Sequence, residues 1–176
     1  MLAGDEYDAS DPELSAASRR ARELQERYQR ASLSGEGGAE ILAELIGELG
    51  EDVEVRSPLF VDYGTNISIG AGTFVNYNLT ALDVTPIRIG SHCQIGPNVQ
   101  LLTATHPLDP TRRRSGVEAG APITLGDNVW LGGGVIICPG VTIGEDSVIG
   151  AGAVVTRDIP AGVLAAGNPA RVLRDL

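Results

Sequence analysis

Histidine is the side chain whose ordinary titration lies closest to neutrality, and this sequence has two, His92 and His106. His92 stands in Ile89-Gly90-Ser91-His92-Cys93-Gln94, at a turn position that suits a solvated side chain. His106 stands in Thr103-Ala104-Thr105-His106-Pro107-Leu108-Asp109-Pro110, where a regular pattern gives way to an irregular loop. A wall and a loop can enclose a ligand there, and a positioned imidazole can take the proton of an attacking group. Zinc bound by three histidines is beyond the reach of two. The two cysteines, Cys93 and Cys138, have no companion metal-ligand pattern, and Cys93 falls at a small inward position, as a buried small hydrophobe would. All 13 basic residues are arginine, so anions must be met by guanidinium groups, backbone amides or helix ends.

These residues must be positioned by the stretch from Leu125 to Pro160, six hexapeptides without a break. Each opens on an aliphatic residue: Leu125, Leu131, Ile137, Ile143, Ile149 and Val155. Four places after each opener comes a second inward candidate: Val129, Val135, Val141, Ser147, Ala153 and Ile159. Between them lie turn-forming pairs such as Asp127-Asn128, Gly133-Gly134 and Pro139-Gly140. A six-residue step turns an α-helix through about 600°, which scatters the openers around its axis. In a strand, offsets of four and six share one face, and a turn in every repeat keeps each strand short. Short strands with corners at a fixed period bury their faces only by stacking, so a parallel solenoid is expected.

The rest of the chain is read against that solenoid. Ser10-Asp11-Pro12-Glu13 is a helix start, with Ser10 or Asp11 as cap and Leu14, Ala17, Ala21, Leu24 and Tyr28 as apolar stripe. Ser34-Gly35-Glu36-Gly37-Gly38 breaks the helix, and a second is expected over Ala39 to Leu49, closed by Gly50. Residues 1–52 thus form a helical cap over an open end of the solenoid, which occupies 53–176. Repeats open on Ile69 and Val75, and the register is reset between Thr80 and Ile89. From Leu101 to Leu125 the six-residue phase is kept, although 107–121 carries no repeat. That stretch is expected to project as a loop, the kind of place where sites concentrate.

At 176 residues with 4% aromatics, the composition suits one domain with a core of stacked aliphatic residues. The net charge of −10 argues against nucleic-acid and anionic-membrane partners. The acidic start, Met1 to Asp11, has neither the basic region nor the apolar run of a signal peptide, and a cytoplasmic protein is expected.

Four separated motifs, in order, resemble the sugar O-acetyltransferases of the hexapeptide-repeat family, the branch with maltose, galactoside and nodulation acetyltransferases. They are Asn76-Tyr77-Asn78, Thr103 to Pro107, Pro122 to Gly132, and Gly167-Asn168-Pro169-Ala170, joined by Met1-Leu2-Ala3-Gly4 with Tyr7-Asp8. The resemblance implies an all-β solenoid, a left-handed parallel β-helix with three hexapeptides per coil. It also implies acetyl-CoA as co-substrate, no metal, and a homotrimer with sites between subunits. His106 would then be the general base for direct attack of a sugar hydroxyl on the thioester, and Asn76 would contact the reacting acetyl group. Asp62, Asp83 and Asp8 would hold the acceptor, and Glu118 would orient His106 or the sugar. For CoA the resemblance points to Gly133, Ala151, Thr156, Arg157, Arg171 and Arg174, while Trp130 packs either over CoA or on a neighbouring subunit. Two other readings fit the same residues: acetyl transfer to an antibiotic hydroxyl, and a non-catalytic hexapeptide scaffold.

Overall fold

A strand of two or three residues ended by a turn has no partner next to it in sequence, and here each pairs with the strand one coil on. The computed structural model, which describes residues 1–35 and 37–176, has three parallel sheets formed in this way. The first face carries Glu48–Leu49, Ile67–Ile69, Ile87–Ile89, Ile123–Leu125 and Thr142–Ile143. The second carries Glu54–Val55, Phe74–Val75, Gln94–Ile95, Trp130–Leu131, Val148–Ile149 and Val163–Gly167. The third carries Leu59–Val61, Leu79–Leu82, Gln100–Leu102, Ile136–Ile137 and Val154–Val155. The chain visits the faces in that order, so the coils form a three-sided β-solenoid.

Leu125 pairs with Ile143 and Leu131 with Ile149, eighteen residues apart, which is three hexapeptides per coil. All six openers and their six partner positions are at most 5% exposed. The exception in chemistry, Ser147, is buried with its hydroxyl donating to Pro160 O at 2.8 Å. Turn chemistry sets the corners: Asn128 and Asp146 take left-handed backbone at φ 54° and 58°. Short polar side chains tolerate that region, and glycine takes the same place at Gly134, Gly140 and Gly152. Cys93 and Cys138 are both free, and Cys93 is buried as expected.

Helix α1 spans Pro12–Ser34. Asp11 rather than Ser10 caps it, accepting from Glu13 N at 2.8 Å, and Ala21, Leu24 and Tyr28 are its buried stripe. Gly35 ends it in left-handed backbone. Glu36, part of the expected break, lies outside the described residues. Helix α2 spans Gly38–Leu45, shorter than expected. The correction concerns Leu49 and Gly50. Glu48–Leu49 is already the first strand of the solenoid, paired with Ser68–Ile69, so the helical cap gives up its last residues to the first coil. Gly50 is a stacking position, because a Cβ there would lie 2.4 Å from Ala71 N in the next coil. At the other end Val163–Gly167 folds back on Ala170–Asp175 as an antiparallel hairpin. Among the described residues no helix is long and apolar enough to cross a membrane.

Candidate active site

The corner between the third and first faces is built differently from the other two. As far as Val155 six residues separate consecutive openers elsewhere, but Val61 to Ile69 and Ala81 to Ile89 take eight, and Leu101 to Leu125 takes twenty-four; past Val155 the same corner is shortened, and Ile159, four residues on, pairs with Ile143. The register reset read near Pro86 is therefore the second of three insertions stacked at one corner. The third insertion is the projecting loop, which carries His106. The first, at Asp62 to Asn66, was not read from the sequence.

A small antiparallel sheet holds the loop. Ala104–Thr105 pairs with Ala119 and Gly120, and Val117–Gly120 pairs in turn with Tyr7–Asp8. Gly120 is required where the returning strand crosses the corner below, since a Cβ would lie 2.8 Å from both Val84 Cγ2 and Thr85 Cγ2. Between the strands, helix α3 (Pro110–Arg114) is capped by Asp109. Arg112 forms an ion pair with Glu6, and Arg113 donates to Pro107 O and Leu108 O. His106 follows the first strand with its side chain 57% exposed, and its Nδ1 faces Glu118 Oε1 at 3.9 Å. The other oxygen, Oε2, accepts from the Tyr7 hydroxyl at 2.7 Å.

Of the acids the resemblance assigned to an acceptor, Asp62 and Glu118 line one cavity of about 330 Å³ under α1, with Tyr7, Arg22, Tyr63 and Val84. Asp8 lines a neighbouring one, its carboxylate accepting from Ser10 N and Ser10 Oγ. Asp83 is a correction: it is 0% exposed. Its carboxylate accepts the backbone N–H groups of Asp62, Tyr63 and Asn66 at 3.1, 2.9 and 3.2 Å, tying one corner insertion to the next. Those oxygens are committed to the backbone, and it is Val84, the next residue, that reaches the cavity. Burial pushes the Asp83 carboxyl up, and its backbone donors pull it part of the way back.

Burial, then the Asp83 and Glu118 carboxylates, push Asp62 up from 3.8 to about 6. A carboxyl with a raised folded-state pKa holds its proton more tightly folded than unfolded. Its contribution therefore favours folding in acid and is lost as pH rises from about 4 to about 6. Asp62→Asn, which stays neutral, is expected to be more stable than wild type above that window, with the advantage shrinking towards its acid end. Urea midpoints at constant protein concentration check this; an advantage that grew in acid would contradict the sign.

On the second face a groove of about 560 Å³ is lined by Asn76, Trp130, Gly133 and Ala151, together with Phe74, Gln94, Pro97 and Leu164. Phe74, Gln94, Trp130, Val148 and Leu164 succeed one another across neighbouring strands, and five such rungs span about 19 Å. Sequence reasoning missed this column, although its rule is simple: each member stands one residue before an inward residue and so points out. Asn76 Oδ1 accepts from Tyr77 N at 2.8 Å, which leaves the amide nitrogen as the free donor end. Trp130 is 55% exposed, and its ring forms part of the groove wall. Arg171 and Arg174 continue the same face on the terminal hairpin, opposite Ala166 and Leu164. Thr156 and Arg157 do not join them. They follow Val154–Val155 and so turn the corner that carries the His106 loop.

The expected site residues thus form two groups. His106, Glu118, Asp62, Thr156 and Arg157 stand at one edge of the third face; Asn76, Gly133 and Ala151 stand at the other. A single subunit does not bring them together. Among the described residues no cluster of three His, Cys, Asp or Glu side chains could hold a metal ion.

Two family models match the chain: "Bacterial transferase hexapeptide (six repeats)" over residues 122–157 and "Maltose acetyltransferase hexapeptide capping motif" over residues 1–50. Nodulation protein L of Rhizobium meliloti is 47% identical over 98% of this chain and 94% of its own length. A maltose O-acetyltransferase from Clostridium difficile superposes with a TM-score of 0.97 at 44% identity, covering 99% of this chain and 94% of that one. A hexapeptide-repeat acetyltransferase from Vibrio cholerae, solved with acetyl coenzyme A, gives 0.94 at 40%, covering 100% and 96%. With the repeats, the capping segment and the coil stack all matched along nearly its whole length, the chain belongs to the hexapeptide-repeat acetyltransferases, close to the maltose O-acetyltransferases.

Proposed function

We propose that the protein transfers the acetyl group of acetyl-CoA to a hydroxyl of a sugar, with His106 as general base. The observation that carries this reading is the placement of His106 on the projecting loop with a carboxylate facing Nδ1, which leaves Nε2 to meet the acceptor. An alcohol hardly ionises at neutral pH, so its oxygen needs a base at the moment of attack. In the proposed step Nε2 takes the hydroxyl proton and the oxygen adds to the thioester carbonyl. The Asn76 amide donates to the oxyanion of the tetrahedral species. The C–S bond then breaks, and the imidazolium returns its proton to the departing CoA thiolate. The groove on the second face would take the pantetheine arm past Trp130, Gly133 and Ala151, with Arg171 and Arg174 for the phosphates. The two free cysteines fit the reducing cytoplasm expected from the sequence.

The test is a panel of maltose, glucose, a β-galactoside and glucosamine with acetyl-CoA, reading thiol release and mapping the product by NMR. O-acetylation of a sugar is expected. An N-acetyl product formed faster than any O-acetyl product would overturn the acceptor class.

The same reading makes the active unit a homotrimer. Closed three-fold symmetry would set the His106 corner of one subunit, with Thr156 and Arg157, against the Asn76 groove of the next. Light scattering should then give three times the 18.3 kDa chain mass. Inactive His106→Ala and Asn76→Ala subunits, co-expressed in equal amounts, should regain activity at about one site in four by random assembly. No recovery, in a mixture shown to exchange subunits, would place each site within one chain.

A further inference from the structure

Glu118 is half-buried and has two oxygens with different tasks: Oε1 faces His106 Nδ1, and Oε2 receives the Tyr7 phenol. We propose that Tyr7 is a positioning residue of acetyl transfer, its hydrogen bond fixing the Glu118 carboxylate that aims the His106 imidazole. This rests on the reading of His106 as general base. Three further observations support it. Tyr7 lies directly opposite Glu118 in the antiparallel pairing, so backbone register sets their approach. The residues leading into that pair are held by the Glu6–Arg112 ion pair, and at Gly4 the segment runs so close to the loop strand that a Cβ would lie 3.1 Å from Gly120 O. Burial and the Glu118 carboxylate push the phenol well above its ordinary value, so it remains a donor through the working range of pH. A carboxylate held at one oxygen cannot turn freely, and the remaining oxygen, 3.9 Å from Nδ1, would on closer approach be the acceptor that selects the Nδ1–H tautomer and leaves Nε2 as base.

The test uses the full chain and the variants Tyr7→Phe, Glu118→Ala, both together, and His106→Ala, assayed with the best acceptor of the sugar panel. Tyr7→Phe should lower kcat about tenfold and leave the acetyl-CoA KM within about twofold, as for loss of one hydrogen bond to a charged group. In the Glu118→Ala background the same change should cost nothing more, because both act through one contact. Long-range 1H–15N spectra give an acceptor-independent readout, since the chain has two histidines and His92 serves as internal control. In the wild type His106 should be mainly Nδ1–H, moving towards mixed tautomers in Tyr7→Phe while His92 is unchanged. Equal tautomers in the wild type would overturn the proposal without recourse to any variant. So would a Tyr7→Phe enzyme with wild-type kcat, or losses that add in full in the double variant. An inactive His106→Ala beside a silent Tyr7→Phe removes this proposal alone; a fully active His106→Ala removes the general-base reading with it.

Discussion

His106→Ala should lower turnover by about 10²–10⁴-fold, the contribution of a positioned proton-transfer group. The protein should remain folded with an unchanged oligomeric mass, because the His106 side chain is more exposed than buried and supports no part of the core. His92→Ala should be nearly silent. That residue is an exposed turn position on the corner between the first and second faces, away from both the loop and the Asn76 edge. Steady-state kinetics of both variants, with circular dichroism as the folding control, decide the matter. Equal losses at the two positions would sink the assignment, since it depends on location and not on imidazole content.

The second large effect is on stability. Asp83→Ala should cost about 3–5 kcal/mol, because it leaves the backbone N–H groups of Tyr63 and its neighbours without an acceptor in a buried corner, at roughly 1–3 kcal/mol each. Chemical denaturation at fixed protein concentration measures this directly. The acetyl-CoA KM of whatever fraction stays folded should be unchanged, since the groove is on another face. A variant of wild-type stability with a raised acceptor KM would show the opposite, that the carboxylate grips substrate after all.

Asp83 also shows where sequence reading stops. The family resemblance assigned it to an acceptor, but its partners are main-chain groups one coil away, and no local pattern announces them. Tyr7-Asp8 was noted for its family likeness, but its strand escaped for a related reason: a two-residue strand has no periodicity, and its partner lies more than a hundred residues on. Leu49 was ambiguous in itself, an apolar residue that fits a helical stripe and an inward strand position equally well. What could be read was whatever repeats. The openers fixed the inward set, the even offsets fixed the faces, and the preserved phase from Leu101 to Leu125 identified the excursion before its shape was known. His106 was legible because it stands where that phase is interrupted. Its separation from Asn76 by a whole face follows from counting strands around the coil, a step that needs the corners to be placed first.

The stacked insertions at one corner bear on how such a protein can change. Across the projecting loop, Ile89 pairs with Leu125 thirty-six residues on, where Leu125 pairs with Ile143 after eighteen. Doubling that span adds only about 0.6 kcal/mol of chain-closure entropy, less than the roughly 0.8 kcal/mol gained by burying one methylene. An excursion of this size is therefore nearly neutral for the stack, and each further doubling adds a similar small amount, provided it leaves from the third face and returns to the first. The groove lies on the second face, whose rungs are untouched by such changes. On the proposed function, selection could lengthen, shorten or recharge the loop to suit a new acceptor while the groove proposed for the donor stays as it is, so that one half of the chemistry would be free to diversify and the other conserved by geometry.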